Sequence, residues 1–393
     1  MAWRKNVTTI SIYYALIYMT VGGFSSFIGL YYASIHLSNM EIGLLISLGS
    51  VIALFAQPIW GILSDRARTK NTILFICLLS SAVSIWLIPL AGNQLWLLIV
   101  MTAVFYFFQC AVNPLSDTIA LELAGQESFS FSFVRTVGSL GYAFMSVIAG
   151  WIFSYNLNYI FAVFSLFMLF SFLFSRSIPS VEGHQKGNEK VKFTELFKNR
   201  KLIFLYIFIF LIGSTLGFFF AFHAIYSQEQ GIGTHLIGLG VMVGSFSQFP
   251  FMLLFDRIYQ RYGIVKILLF SGAIHVIRWF LYAYFLNSTT ILLIWMLHGG
   301  TYILLYLCLA EYVNQTVIKE LKASAQMMNS IVLMGISKIC GGIIGGYFAS
   351  EYGFSAIFFV CAAISMLAII GLGLTDKMSS IFEDKNYTTK LSQ

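Results

Sequence analysis

The chain has 393 residues, 59% of them apolar and only 10% charged, with a formal net charge of +7. That is too little charge to cover a water-soluble protein of this length, and its 39 Phe outnumber all 23 Lys and Arg together. The composition fits an all-α integral membrane protein in a lipid bilayer. It excludes a soluble enzyme, and the distribution of the positive charge along the chain argues against a nucleic-acid binder.

A helix needs about 20 mostly apolar residues to cross the hydrocarbon core. Such windows begin near Thr9, Glu41, Thr72, Leu95, Phe129 and Asn158. They resume near Lys201, His235, Ile264, Thr290, Ala323 and Phe354. The first thirty residues are too long and too aromatic for a cleaved leader, so they read as a retained first span. Between the two sets lies a long polar stretch, Arg176 to Lys201, with Pro179, Gly183, Gly187 and alternating Lys and Glu. The expectation is twelve transmembrane helices in two pseudo-symmetric six-helix bundles, residues 1–178 and 201–393, joined by a cytoplasmic linker at 179–200. Cys77, Cys110, Cys308, Cys340 and Cys361 all fall inside apolar runs without metal-ligand spacing and read as packing residues.

Basic residues set the orientation. They flank the first span (Arg4, Lys5), follow the second (Arg66, Arg68, Lys70), fill the linker, follow the eighth (Arg257, Arg261, Lys266) and tenth (Lys319, Lys322), and end the tail. All of these lie on one side, so both termini are expected in the cytoplasm, with the protein in the cell membrane. A weak internal repeat supports two halves. Gln57 precedes Asp65-Arg66 by eight residues, and Gln248 precedes Asp256-Arg257 by the same spacing.

Three cations, Arg135, Arg278 and Lys338, fall within spans, where each costs roughly 2.5–3.5 kcal/mol on insertion scales. Asp117 and Arg135 each lie about nine residues from the turn near Gly125 and Gln126, so they reach similar depth on neighbouring helices. An Asp–Arg pair at that depth serves either as a structural lock or as a place where acceptor sites remain for solute hydroxyls. Arg278 and His298 are each ten residues from Ser288 in a short outer loop, and so share a depth near mid-membrane. His275 lies one turn from Arg278 on the same face. Histidine suits proton traffic, although a satisfied buried His is the plainer alternative. Lys338 is central in the eleventh span, too far from either interface to snorkel easily. It calls for a solute carboxylate, a role as exchangeable cation, or a strained salt bridge to Glu311. The glycines around it (Gly335, Gly341, Gly342, Gly345 and Gly346) read as helix packing. Tyr13, Tyr14, Tyr18, Phe24 and Tyr31 of the first span read more readily as lipid-facing or interfacial residues than as cavity lining.

The run Gly61-Ile62-Leu63-Ser64-Asp65-Arg66-Ala67-Arg68-Thr69-Lys70 resembles the loop motif of the major facilitator superfamily. The resemblance implies that Gly61 permits close helix approach, that Asp65 caps and pairs across the halves, and that Arg66 and Arg68, with Asp256 and Arg257 in the second half, hold a cytoplasmic gate. Gln57-Pro58-x-x-Gly61-x-Leu63-Ser64-Asp65 is similar to the lactose permease group of oligosaccharide/proton symporters. Pro114-Leu115-Ser116-Asp117, Arg135-x-x-Gly138-Ser139-x-Gly141 and Leu297-His298-Gly299-Gly300-Thr301 look closer to its phenylpropionate permease-like branch. By that resemblance Asp117, Arg135 and Tyr142 hold the solute, and Arg278 and His298 belong to the coupling site. The chain departs from the group where its proton-carrying acids stand: Thr301, Ser245 and Gln248 occupy those positions.

The sequence therefore reads as a proton-coupled importer of a small organic solute such as a sugar, a nucleoside or an aromatic carboxylate. It is expected to work as a monomer, without a cofactor or metal. Asp117, Arg135, Tyr142, Gln248 and Lys338 are its candidate solute residues, and His298, Arg278 and His275 its candidate proton-coupling residues. Two rivals remain, an exporter and a membrane-embedded solute sensor. Against export, Gly138 to Gly150 lacks the Gly-Pro signature of drug/proton antiporters; against a sensor, no segment has the size of a signalling domain.

Overall fold

The computed structural model describes residues 2–127, 129–183, 200–317 and 322–391. Regular structure among them is helical, apart from one antiparallel bridge between Thr69 and Glu182. Helices satisfy their backbone groups internally, which hydrocarbon demands of any spanning segment. Nine helical segments among the described residues are long and apolar enough to cross a membrane, and Tyr159–Ser175 is a shorter apolar helix.

The first helices are α1 (Ala2–Ser25) and its short continuation α2 (Ile28–Ser34), followed by α3 (Asn39–Arg66). Ser38 and Glu41 cap α3 reciprocally, so its first amides are satisfied where the chain re-enters the apolar layer. Next come α4 (Lys70–Ser84), the single turn α5 (Leu87–Leu90), α6 (Leu95–Glu127), α7 (Phe131–Tyr155) and α8 (Tyr159–Ser175). After the polar stretch follow α9 (Arg200–Glu229), α10 (Thr234–Ser247) and α11 (Phe249–Phe285). Then α12 (Ile291–Met296) tightens through a 3-10 turn at Leu297–Gly300 into α13 (Tyr302–Thr316). Last are α14 (Lys322–Ser330), a π-helical turn (Ile331–Ile336) and α15 (Ser337–Leu391). Two of these helices are broken internally by glycines in the left-handed region, Gly263 (φ 73°) in α11 and Gly353 (φ 77°) in α15. A side chain at either position would be strained.

Helices from before and after the polar stretch meet closely toward the ends remote from the basic loops. A Cβ on Gly43 would stand 2.1 Å from the Gly342 carbonyl oxygen, and one on Gly346 2.6 Å from that of Asn39. On the other side, Gly150 approaches the Thr234 carbonyl and Gly238 that of Ser146, and the Ser146 hydroxyl donates to Gly238 at 3.0 Å. These contacts are backbone against backbone, the close approach that small residues permit between membrane helices.

The polar stretch begins attached to the body of the protein. Asn71 donates to the Pro179 carbonyl and accepts from the Val181 amide at 2.9 Å, while the Lys70 amide donates to Val181 at 2.8 Å. Lys70, counted with the basic loop in the sequence, is instead buried and paired with Glu122 of α6. The aromatic residues of the first span also depart from the lipid-facing expectation. Tyr13, Tyr14, Phe24 and Tyr31 are buried, because their neighbours supply hydroxyl partners and ring edges that lipid lacks.

Gly43→Leu is expected to force α3 away from α15. Transport should fall more than about tenfold, given the sub-contact spacing, and a cysteine introduced at Asn39 should become more reactive to an impermeant thiol reagent. Unchanged transport and labelling would show that this contact does not govern closure.

Candidate solute site

Three constellations carry the polar chemistry at depth. The first joins α1, α6 and α7. Arg135 Nη1 donates to Asp117 Oδ2 at 2.9 Å, and the Tyr14 hydroxyl donates to Oδ1 at 2.8 Å. Both carboxylate oxygens are thus engaged. The pair is not sealed: the side chains are 47% and 26% exposed, so the remaining guanidinium edge of Arg135 opens on solvent. Beneath them the Tyr13 hydroxyl meets Ser116 Oγ at 2.6 Å, and Tyr18 stacks on Tyr14 with centroids 6.1 Å apart. Gly138 makes room for Tyr18, whose ring would lie 2.9 Å from a Cβ there. Tyr142 is half-buried on α7, with its backbone against Gly22.

The second constellation is interior. Arg278 is fully buried and donates from Nη1 to His298 Nδ1 at 3.0 Å. An arginine can only donate, so Nδ1 must be the bare nitrogen, and His298 is neutral with its proton on Nε2. Thr301 Oγ1 lies 3.2 Å from the same nitrogen. The guanidinium sits over the Phe219 ring at 4.2 Å and near those of Trp279, Trp295 and Tyr282. Such cation–π contacts are worth about 2 kcal/mol or more each when desolvated. His275 Nδ1 meets the Ser271 carbonyl at 2.8 Å, which assigns its proton to Nδ1. His223 of α9 stacks on Phe219 and meets Trp295 edge-on. Sequence reading passes over His223 because it has no partner at regular spacing; only the packing of α9 against α11 and α12 brings it in.

The third is Lys338, half-buried on α15, whose Nζ lies 5.3 Å from the centre of the Phe220 ring. No carboxylate among the described residues pairs with it; Glu311 instead accepts from Gln315 at 2.7 Å. From Phe220 a row of rings runs through Tyr302 to Tyr306, which lies within electrostatic reach of Arg135 and Tyr18. This partly exposed row of rings begins beside Lys338 and extends to Tyr306 on α13.

The remaining sequence candidates lie apart from these groups. Gln57 donates to the Cys110 carbonyl at 3.1 Å, and Gln248 is half-buried at the junction of α10 and α11. Asp65, Arg66, Arg68, Asp256 and Arg257 are exposed and form no ion pair among the described residues. Gly61, expected to permit close helix approach, has open space where its Cβ would stand. No neighbouring helix comes within 4 Å of that position, so the expected close approach does not occur.

The fold and these intramembrane constellations define a multi-pass membrane transporter of the major facilitator type. Residues 7–360 match the model of the MFS_1 like family, and the chain belongs to that family. It is 26% identical over 387 residues to the maltose permease of Geobacillus stearothermophilus, covering 96% of each chain. It is 24% identical over 375 residues to the probable 3-phenylpropionic acid transporter of Escherichia coli, covering 93% of this chain and 97% of that one. Among solved structures, the nucleoside transporter NupG superposes with a TM-score of 0.82 at 18% identity, over 94% of this chain and 99% of the other. That likeness concerns the fold.

A double-mutant cycle with Asp117→Asn and Arg135→Gln tests the first constellation. Thermal unfolding should give a coupling of about 0.5–1 kcal/mol, discounted for the exposure of both groups. Additive effects would mean that the contact carries no energy.

Proposed function

We propose that the protein is a secondary active transporter that takes up a small organic carboxylate together with a proton, by alternating access. The observation that carries the reading is the charge balance of the open site. Asp117 is spent on Arg135 and Tyr14, whereas Arg135 keeps free donors and Lys338 has no acid among the described residues. A site with one anion and two cations attracts a negative solute. The aromatic row from Phe220 to Tyr306 suits a ring between the two cations, as in an aromatic carboxylate. Among the relatives, one is named for 3-phenylpropionic acid and one for maltose; the missing acid favours the former kind of solute over a sugar or nucleoside. Tyr142 and Gln248 complete the solute contacts in this reading.

The proposed architecture is twelve spans. Dividing Thr234–Phe285 at Gly263 and Ala325–Leu374 at Gly353, and counting Tyr159–Ser175, extends the nine long segments to that number. Two six-helix bundles, 1–178 and 201–393, would rock about the site, with 179–200 as cytoplasmic linker, both termini in the cytoplasm and the monomer as working unit. The close contacts remote from the basic end, with exposed charges at that end, support an inward-facing state.

Coupling is assigned to His298, Arg278 and His275. Protonation of His298 at Nδ1 would end its bond to Arg278 and set two cations side by side in an apolar site. The protonated state therefore needs a compensating anion nearby; a carboxylate held at Lys338, whose Phe220 neighbour packs against His298, supplies it in this reading, so proton and carboxylate load together.

Uptake into proteoliposomes with an imposed pH gradient tests the reading, using aromatic carboxylates, sugars and nucleosides. Carboxylates should accumulate, and Lys338→Gln should reduce their uptake more than about tenfold, as expected for loss of a buried charge contact. His298→Gln should retain exchange while losing uphill accumulation. Uptake of maltose or nucleosides alone would overturn the carboxylate assignment and leave the transporter reading intact.

A further inference from the structure

Arg278 uses one of its three nitrogens. Nε and Nη2 are buried without a hydrogen-bond partner, as are the Tyr282 hydroxyl and His223 Nδ1. These groups gather around one ring: the guanidinium carbon lies 4.2 Å from the Phe219 ring centre and 5.8 Å from that of Tyr282, and His223 stacks on Phe219 at 5.0 Å. Tyr282 O is close enough to interact with the guanidinium, although the hydroxyl makes no well-formed hydrogen bond. Unpaired buried donors are costly, and a buried cation far more so. Within this cluster nearly every unspent group is an N–H or O–H, attached to or beside a permanent cation, and no carboxylate among the described residues answers it.

The geometry points to a small inorganic anion, chloride under cellular conditions, held by Arg278 Nε and Nη2 with Tyr282 and His223. A monatomic anion accepts several donors without directional demands. A solute carboxylate is a poorer fit, because Arg278 is fully buried and its faces are covered by Phe219, Trp279 and Trp295. The site is separate from Lys338 and Arg135, which are both only partly buried.

The test uses purified protein in detergent without solute, at fixed pH and ionic strength, with gluconate replaced by chloride or bromide. The unfolding midpoint should rise saturably by roughly 2–5 °C, and bromide should quench tryptophan fluorescence with the same saturation, since Trp279 and Trp295 wall the site. Arg278→Gln should abolish both responses, and Lys338→Gln should keep both. Tyr282→Phe should weaken halide affinity several-fold, and it decides the matter if Arg278→Gln does not fold. A wild-type midpoint indifferent to halide, or an unchanged halide affinity in Tyr282→Phe, would overturn the proposal. Neither readout requires transport, so failure here is distinguishable from failure of the solute assignment.

Discussion

The cost of holding a charge at membrane depth organises this protein. Asp117–Arg135, Arg278 and Lys338 meet that cost in three different ways: a carboxylate with a tyrosine hydroxyl, a box of aromatic faces with a neutral histidine, and partial exposure beside the Phe220 ring. Each solution dictates its surroundings. The aromatic box requires α9, α11 and α12 to converge on Phe219, and it accounts for buried Trp279, Tyr282 and Trp295.

The two neutral histidines follow from the same constraint. Near a fixed guanidinium, a second positive charge in an apolar site is strongly opposed. His298 is held neutral by accepting from Arg278, which an imidazolium could not do, whereas the bond from His275 Nδ1 to the Ser271 carbonyl orients that ring beside the same guanidinium. Protonation at His298 is thereby tied to whatever compensates the added charge, which is the physical basis of the coupling proposed above.

Much of this is legible in the sequence where spacing along one or two helices fixes depth. Asp117 with Arg135, and Arg278 with His298, are each symmetric about a turn, and both pairs meet. What is not legible depends on which face a helix turns toward a distant neighbour. Tyr14 reaches Asp117 from 103 residues away, Lys70 is covered by Glu122, and His223 enters only through the packing of α9. Hydropathy cannot distinguish an aromatic residue facing lipid from one facing a hydroxyl partner, which is why the buried tyrosines of the first span read as lipid-facing.

The two ends of the protein are held by different forces, and the alternating access proposed above would turn on that difference. At the end remote from the basic loops, Gly43 against Gly342 and Gly150 against Thr234 are short-range backbone contacts, with dispersion lost as soon as the helices separate. At the basic end, Asp65, Arg66, Arg68, Asp256 and Arg257 are solvated and form no ion pair among the described residues. Closing that end would bring opposite charges of the two halves together, each exposed pair contributing only about 0–1 kcal/mol. Several such pairs offset the loss of the glycine contacts without overwhelming it. Near-balance between the ends is what a transporter needs, because a few kcal/mol from solute and proton binding can then tip the equilibrium.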